Sequence, residues 1–300
     1  MTDLFPGFRE AVIGTAGAEI HCKIGGEGPP LVLLHGYPQN HAAWHRVAPV
    51  FARHFCCVIP DLRGYGQSSV PAPDNKHEVY SKRVMARDIV EVMHSLGHGR
   101  FSMLGHDRGA RVAYRLALDV PERVERLGIL EVIPTGEMWE SFDAAMAMSA
   151  YHWTFLAQPH PLPERMIAAD PVAYLEWTLA SWAQKKSLAD FHAEALDSYR
   201  SAFVQLNRIN AFCEDYRAGA TVDRALDDAD LRSRRKIDPP LHFVWSHHGF
   251  PARTGDPLGL WRKWARRVSG EAVDAGHFVP EENPDGVLQA FLPFFGAAPN

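Results

Sequence analysis

Short apolar segments alternate with helix-like segments through the first half of this 300-residue chain. The segments of strand length are residues 30–34, 55–59, 101–104 and 124–133. Residues 42–54 and 81–96 instead place their apolar side chains at helical spacing. Because a helix between two strands returns the chain to the same end of a sheet, this alternation favours parallel pairing. It predicts an α/β fold with a mostly parallel sheet and helices on both faces, preceded by a hairpin at residues 11–26.

The middle of the chain follows a different pattern. Residues 135–234 contain no clear strand and are rich in Trp, Tyr, Met and Ala, and a strand pattern returns only at residues 241–245. We therefore predict a core domain of residues 1–134 and 235–300 and an all-helical cap of residues 135–234 over the carboxyl edge of the sheet, where ligands bind in such folds. The alternative is an independent second domain, but no polar linker marks either junction.

Charge and composition exclude several classes of protein. The chain has 36 acidic and 31 basic residues, a formal charge of −5, and no basic run of the kind that binds nucleic acid or anionic membranes. Its apolar runs are far shorter than the ~18 residues that span a bilayer. The first residues lack the apolar stretch of a signal peptide, and the four cysteines lack zinc or redox spacing, so we expect a cytoplasmic protein. The cysteines are Cys22, Cys56, Cys57 and Cys213.

A glycine-framed turn carries the most informative chemistry. Gly105-His106-Asp107-Arg108-Gly109 lies between a predicted strand and a predicted helix, and it fits the Gly-x-nucleophile-x-Gly turn with Asp107 as the nucleophile. The alternative is that Asp107 caps the helix, although a cap does not need glycine on both sides. A carboxylate is ionised at neutral pH, so it can displace a leaving group from carbon and form an ester without a base.

Hydrolysis of such an ester needs a general base and an acid that orients it. His277, in the loop after the last predicted strand, is the predicted base, and its alternative is a surface histidine beside Glu281. Two residues could orient it: Glu131, which emerges from an apolar strand, and Asp256, which is otherwise explained as a helix cap before Pro257. We favour Glu131.

Two further features surround the predicted nucleophile. The expected oxyanion hole consists of the backbone amides of Tyr37 and Arg108. Tyr37 lies in the His35-Gly36-Tyr37-Pro38 segment, which could also be an ordinary loop. Arg108 and Arg111 lie three residues apart on the helix that follows, so both guanidinium groups could bind a substrate carboxylate above Asp107. Surface ion pairs are the alternative interpretation of the two arginines.

These motifs together resemble the haloacetate dehalogenases, including fluoroacetate dehalogenases, of the α/β-hydrolase superfamily. The resemblance extends over nearly the whole chain, and its most specific part is the run from His106 to Arg111, because related epoxide hydrolases carry an aromatic residue after the nucleophile. It implies that Asp107 and His277 are catalytic and that Arg108 and Arg111 bind the substrate carboxylate. It also implies a halide site in the cap formed by His152, Trp153 and Tyr216, with Trp182 lining the pocket.

The aromatic residues of the cap also have a simpler explanation, which is packing in its core. One departure from the family concerns Glu131, where relatives commonly have Asp, and the longer side chain could slow hydrolysis of the ester. The segment 247–256 also departs from the family pattern, and the sequence offers no physical account of it.

The resulting hypothesis is hydrolytic dehalogenation of haloacetates to glycolate through an ester on Asp107. Epoxide hydrolysis with the same nucleophile is the first alternative, and a non-catalytic receptor for small acids is the second. The chemistry needs no metal and no organic cofactor. Besides substrate and water we expect no nucleic acid or membrane partner, and the resemblance implies a homodimer.

Overall fold

The computed structural model describes residues 3–297, which fold around one eight-stranded sheet. The strand order is β1-β2-β4-β3-β5-β6-β7-β8; β1 and β2 form an antiparallel hairpin, β2 pairs antiparallel with β4, and β3 to β8 run parallel. The strands are β1 Arg9–Gly14, β2 Glu19–Gly25, β3 Pro30–Leu34, β4 Cys56–Pro60, β5 Phe101–His106, β6 Val124–Leu130, β7 Leu241–Ser246 and β8 Val268–Val273. The predicted mostly parallel α/β fold is confirmed.

Helices follow nearly every parallel strand and fill the chain between β6 and β7. The α-helices are α1 Ala48–Phe51, α2 Lys82–Ser95, α3 Arg108–Asp119, α4 Thr135–Glu140, α5 Ala144–Ser149, α6 Tyr151–Leu156, α7 Leu162–Ala169, α8 Pro171–Trp182, α9 Ala193–Phe203, α10 Leu206–Ala220, α11 Val222–Arg232, α12 Phe250–Arg253, α13 Pro257–Trp264, α14 Val279–Glu282 and α15 Pro284–Phe295. Short 3₁₀ helices occur at His41–Trp44, Glu78–Tyr80 and Pro121–Arg123. Residues 135–232, all of them described, contain helices α4 to α11 and no strand.

The core lies on both faces of the sheet because strand side chains alternate between the faces. Leu31 and Leu33 of β3 pack in one buried cluster with residues of α1 and α15. Val32 and Leu34, their immediate neighbours, pack in the other cluster with residues of α2 and α3. Helices therefore cover both faces, as the sequence predicts. None of the helices within residues 3–297 has the length and apolar character needed to cross a membrane.

Two of the sequence-based elements differ in the structure. The strand predicted for residues 124–133 ends at Leu130, because the next residue, Glu131, has a φ of 56° and turns the chain away from the sheet. The helix predicted for residues 42–54 is divided into a 3₁₀ turn and the short helix α1. The first of these differences places the Glu131 carboxyl at the site described next.

Candidate active site

The turn between β5 and α3 places Asp107 at the carboxyl edge of the sheet. Asp107 has φ 47° and ψ −117°, a backbone conformation that is strained for a residue with a side chain. A Cβ on Gly105 would lie 2.5 Å from the Cα of Ala110, and a Cβ on Gly109 would lie 2.3 Å from the carbonyl oxygen of Leu34. Glycine at both positions lets the chain make this close turn. The Asp107 side chain makes no capping hydrogen bond to α3.

The two carboxylate oxygens of Asp107 have different surroundings. Oδ1 accepts a hydrogen bond of 2.8 Å from the backbone N–H of Tyr37. A Cβ on Gly36 would lie 2.5 Å from Oδ1 and 2.8 Å from the backbone nitrogen of Arg108, so glycine allows the loop after β3 to approach both. Burial raises the pKa of Asp107, but His277, His106 and the two arginines outweigh it, and the net pKa lies below the ordinary value. Asp107 is therefore an ionised carboxylate.

His277 faces the other oxygen of Asp107. Its Nε2 lies 3.8 Å from Oδ2 and is buried without a hydrogen-bond partner. Burial lowers the pKa of His277 to about 3, so the imidazole is neutral at neutral pH and the contact is not an ion pair. A neutral ring nitrogen without a hydrogen-bond partner can accept a proton from water.

The loop that carries His277 is fixed by residues that the sequence analysis did not single out. The ring Nε2 of His106 donates to the carbonyl oxygen of His277 at 2.7 Å. The carboxylate of Glu282 accepts from the backbone amides of Gly276 and Phe278 at 3.0 and 2.9 Å. His106 lies within the glycine-framed turn, so its place beside Asp107 was visible, but no signal in the sequence indicated its partner.

Glu131 lies at the base of the same cavity, with its carboxylate against the loop after β7. Oε2 accepts a hydrogen bond of 2.5 Å from the backbone N–H of Ser246. Burial raises the pKa of Glu131 to about 8. Among the described residues no hydrogen bond joins this carboxylate to His277, although both residues line one cavity.

Asp256, the other acid considered for orienting His277, lies away from the cavity. It is exposed, and its Oδ1 accepts a hydrogen bond of 2.8 Å from the backbone N–H of Gly259 at the start of α13. It therefore acts as a helix cap in this structure.

Arg111 is a buried cation that faces the cavity. Its Nη1 donates to the carbonyl oxygen of Ile133 and to Oγ1 of Thr135, both at 3.0 Å, whereas its Nε has no partner. Its guanidinium lies over the ring of Trp153, with Cζ 4.5 Å from the ring centroid. No carboxylate of the described residues forms an ion pair with it, and burial lowers its pKa.

Arg108 follows Asp107 directly, but its guanidinium forms an ion pair with Asp215. Its Nη2 donates to Oδ1 of Asp215 at 2.6 Å and its Nε donates to Oδ2 at 3.1 Å. Cζ lies 4.1 Å from the ring centroid of Tyr216. The same Asp215 carboxylate also accepts from Lys82 Nζ and Tyr65 Oη. The structure thus brings both arginines close to Asp107, but only Arg111 lines the cavity.

The aromatic residues expected at a halide site form one cluster beside Asp107. The rings of His152 and Trp182 are 4.2 Å apart, and Tyr216 packs edge-on against His152 and Trp153 at 5.6 and 6.1 Å. His152, Trp153 and Trp182 line the cavity, and Tyr216, 2% exposed, packs against the first two. Nδ1 of His152 is buried without a partner, and burial lowers the pKa of this histidine to about 3.

These groups surround a cavity of about 570 Å³, which opens to solvent between the core and the helices of residues 135–232. Its volume lies within the range of small-molecule binding sites. Asp107, Arg111, Glu131 and His277 line its inner part. Lys186 and Arg253 are exposed at its mouth, where positive charge favours the approach of an anion.

One group of potential metal ligands lies elsewhere in the described residues. His21, His41 and Asp61 are buried, and their ligand atoms lie within 4.8 Å of one another. The Asp61 carboxylate also accepts from the backbone amides of His41 and Gln67 at 2.7 and 2.8 Å. These hydrogen bonds account for the cluster as part of the loop structure, and it contributes nothing to the cavity that contains Asp107.

Comparison with known proteins places these features in a family. A family model described as the alpha/beta hydrolase fold matches residues 29–284. A fluoroacetate dehalogenase from Burkholderia sp is 39% identical over 96% of this chain and 95% of its own length. A soluble epoxide hydrolase from Corynebacterium sp. (strain C12) is 33% identical, with 93% and 94% of the two chains covered.

A solved structure agrees with this relationship. A protein from Nostoc sp PCC 7120, provisionally described as an α/β hydrolase, is 46% identical to this chain and superimposes with a TM-score of 0.94. The match covers 97% of this chain and 99% of the other. Relatives with dehalogenase and epoxide hydrolase names therefore lie at comparable distances, and the chemistry of the site has to discriminate between the two activities.

Proposed function

We propose that this chain, which belongs to the α/β-hydrolase family, is the hydrolase that removes halide from haloacetates such as fluoroacetate and chloroacetate. The products are glycolate and halide, and the reaction proceeds through an ester on Asp107. Asp107 and His277 are the catalytic residues in this proposal, and Glu131 is the acid that orients the histidine.

The observation that carries the proposal is that the buried guanidinium of Arg111 forms no ion pair with a carboxylate of the described residues. A guanidinium buried without an anionic partner is costly, and a bound carboxylate would offset that cost through two parallel hydrogen bonds. Arg111 has an unpartnered Nε and lines the same cavity as Asp107. A neutral epoxide would leave this charge unpaired, so the arginine favours an anionic substrate.

In the first step Asp107 Oδ2 attacks the α-carbon of the haloacetate. The new C–O bond forms as the carbon–halogen bond breaks, and the halide departs with the bonding electron pair. Holding the substrate carboxylate on Arg111 also reduces its repulsion with the anionic nucleophile. The proposed donors to the departing halide are the unpartnered Nδ1 of His152, the indole N–H of Trp153 and the hydroxyl of Tyr216.

In the second step His277 removes a proton from water, and the water oxygen attacks Cγ of Asp107. The oxyanion that forms on Oδ1 is stabilised by the amide of Tyr37, already 2.8 Å away, and by that of Arg108. Collapse of this intermediate releases glycolate with Oδ2, and the proton on His277 passes to the glycolate oxygen. The remaining proton leaves the regenerated carboxyl group as H⁺.

The test is halide release from chloroacetate and fluoroacetate, measured with an ion-selective electrode. We expect stoichiometric halide and glycolate from the wild-type protein and none from Asp107→Asn. Release that persists in Asp107→Asn would contradict the ester mechanism.

Epoxide hydrolysis is the second candidate, favoured by the soluble epoxide hydrolase relative. It would use the same nucleophile, with the buried Tyr216 hydroxyl as a donor to the epoxide oxygen. Diol formation from styrene oxide, without halide release from either haloacetate, would support epoxide hydrolysis in place of dehalogenation. Inactivity on all three substrates would support a receptor for small acids.

A further inference from the structure

The cavity is far larger than the substrate proposed above. Chloroacetate has five non-hydrogen atoms and occupies a volume on the order of 100 Å³, about that of three water molecules at ~30 Å³ each. The cavity measures about 570 Å³. Most of its volume would therefore remain unfilled by a haloacetate bound between Asp107 and Arg111.

Apolar side chains from both parts of the fold form one wall of this cavity. Val132 and Ile133 follow β6, Met138 belongs to α4, Met146 belongs to α5, and Phe250 begins α12. The first four of these side chains are at most 5% exposed although they line an open cavity. Buried apolar side chains around free volume form a site for an apolar group, because filling it removes apolar surface from water.

The geometry of the reaction determines which substrate group reaches this wall. The α-carbon of a bound haloacid carries a carboxylate, a halogen and two further substituents. The proposed mechanism directs the carboxylate to Arg111 and the halogen to the cluster of His152 and Trp153. A third substituent would extend into the remaining volume of the cavity, whose lining includes the apolar side chains of Val132, Met138 and Met146.

We propose that this wall is a side-chain subsite, and that the preferred substrates are 2-haloalkanoic acids with an extended apolar chain on the α-carbon. The subsite consists of Val132, Ile133, Met138, Met146 and Phe250. Methionine suits such a role because its unbranched thioether adapts to alkyl chains of different length. This inference rests on the proposed function, since it takes the carboxylate and halogen positions from it.

The experiment compares two substrates of similar intrinsic reactivity. 2-Bromopropanoate and 2-bromohexanoate both have bromine on a secondary carbon next to a carboxylate, and they differ only in alkyl length. We expect kcat/KM for bromide release to be at least about tenfold higher with 2-bromohexanoate, because burial of three added methylene groups stabilises the transition state. Equal or lower kcat/KM with 2-bromohexanoate would overturn the subsite.

Substitutions on α5 provide a matched pair of variants. Met146→Trp fills the subsite, and we expect it to lower kcat/KM for 2-bromohexanoate at least about tenfold while that for 2-bromopropanoate changes less than about twofold. Met148→Trp lies two residues away on the same helix at a side chain 81% exposed, and it should change neither value. Equal losses for both substrates in Met146→Trp would also overturn the subsite.

The two proposals fail in different ways. Bromide release from 2-bromopropanoate without a preference for the longer acid refutes the subsite and leaves dehalogenation intact. If bromoacetate, 2-bromopropanoate and 2-bromohexanoate all release no bromide, the proposed function itself is wrong. The wild-type comparison of substrates holds even if a variant does not fold.

Discussion

The carboxylate of Glu131 occupies the space in which a side chain at position 249 would begin. A Cβ built on Gly249 would lie 1.6 Å from Oε1 of Glu131, so the glutamate and the glycine depend on one another. Gly249 lies in the segment 247–256, which the sequence analysis could not explain. This contact supplies one physical account: the loop after β7 accommodates the methylene by which glutamate exceeds aspartate.

A double-mutant cycle would measure this dependence. Gly249→Ala should lower the free energy of unfolding by about 1–3 kcal/mol, because the added methyl group overlaps the carboxylate. Combined with Glu131→Asp, whose shorter side chain frees the space, the same substitution should cost less. The measurement is denaturant unfolding of the two single variants and the double variant. Additive losses would show that the two positions do not interact.

Glu131→Gln tests whether this acid acts on the second chemical step. Displacement needs only Asp107, so we expect one equivalent of halide to be released per active site, followed by slow turnover as the ester accumulates. Quenched reactions analysed by mass spectrometry would detect the added acid on the peptide that contains Asp107. Asp256→Asn is the control, because that exposed side chain only caps α13. Normal turnover in Glu131→Gln, with a loss in Asp256→Asn, would assign the role to Asp256.

Removal of Arg111 should lower activity, whereas removal of Arg108 should lower the stability of the fold. Arg111→Met should lower kcat/KM for chloroacetate about 10- to 100-fold, mainly through KM, because the substrate loses its charged hydrogen bonds. Arg108→Met should instead destabilise the fold by about 3–5 kcal/mol, because it leaves the negative charge of the buried Asp215 compensated only in part, by Lys82. Steady-state kinetics and thermal unfolding of both variants separate these outcomes, and a stable Arg108→Met with raised KM would identify Arg108 as the carboxylate ligand.

The pH dependence should differ between the two steps. Since burial lowers the pKa of His277 to about 3, the base is already neutral at pH 5, and no loss of activity is expected near pH 6.5. Burial raises the pKa of Glu131 to about 8, so its stabilising negative charge develops as the pH rises through that value. Ester hydrolysis should therefore accelerate between about pH 7 and 9, whereas displacement stays constant.

Single-turnover halide release and ester decay, measured separately across this range, check both expectations. Glu131→Gln should lack the rise in ester hydrolysis, since glutamine carries no charge to develop. A rise that is unchanged in this variant would assign it to another group.

Elements whose limits are set by local chemistry could be predicted well. Strand β3 has the predicted limits, Pro30–Leu34. The helix predicted for residues 42–54 was wrong as a single element, because Pro49 would stand in its interior, where the ring clashes with the preceding turn. In the structure Pro49 lies in the first turn of α1, where proline is tolerated.

The site depends on contacts that the sequence does not display. The glycine-framed turn identified Asp107 because its backbone requirements are local. The ion pair between Arg108 and Asp215 joins residues 107 positions apart, and no local pattern in the sequence indicates it. The division into core and cap domains, the homodimer and the cytoplasmic location stay predictions.

The hydrogen bond from Tyr37 distinguishes the two oxygens of Asp107 by whether they exchange with solvent oxygen. In the proposed cycle Oδ2 departs with every molecule of glycolate and is replaced by an atom from solvent, while Oδ1 stays bound to the backbone amide. A protein molecule that has completed thousands of cycles would still carry one oxygen incorporated when the chain was synthesised. Its neighbour on the same carbon would be only as old as the latest turnover.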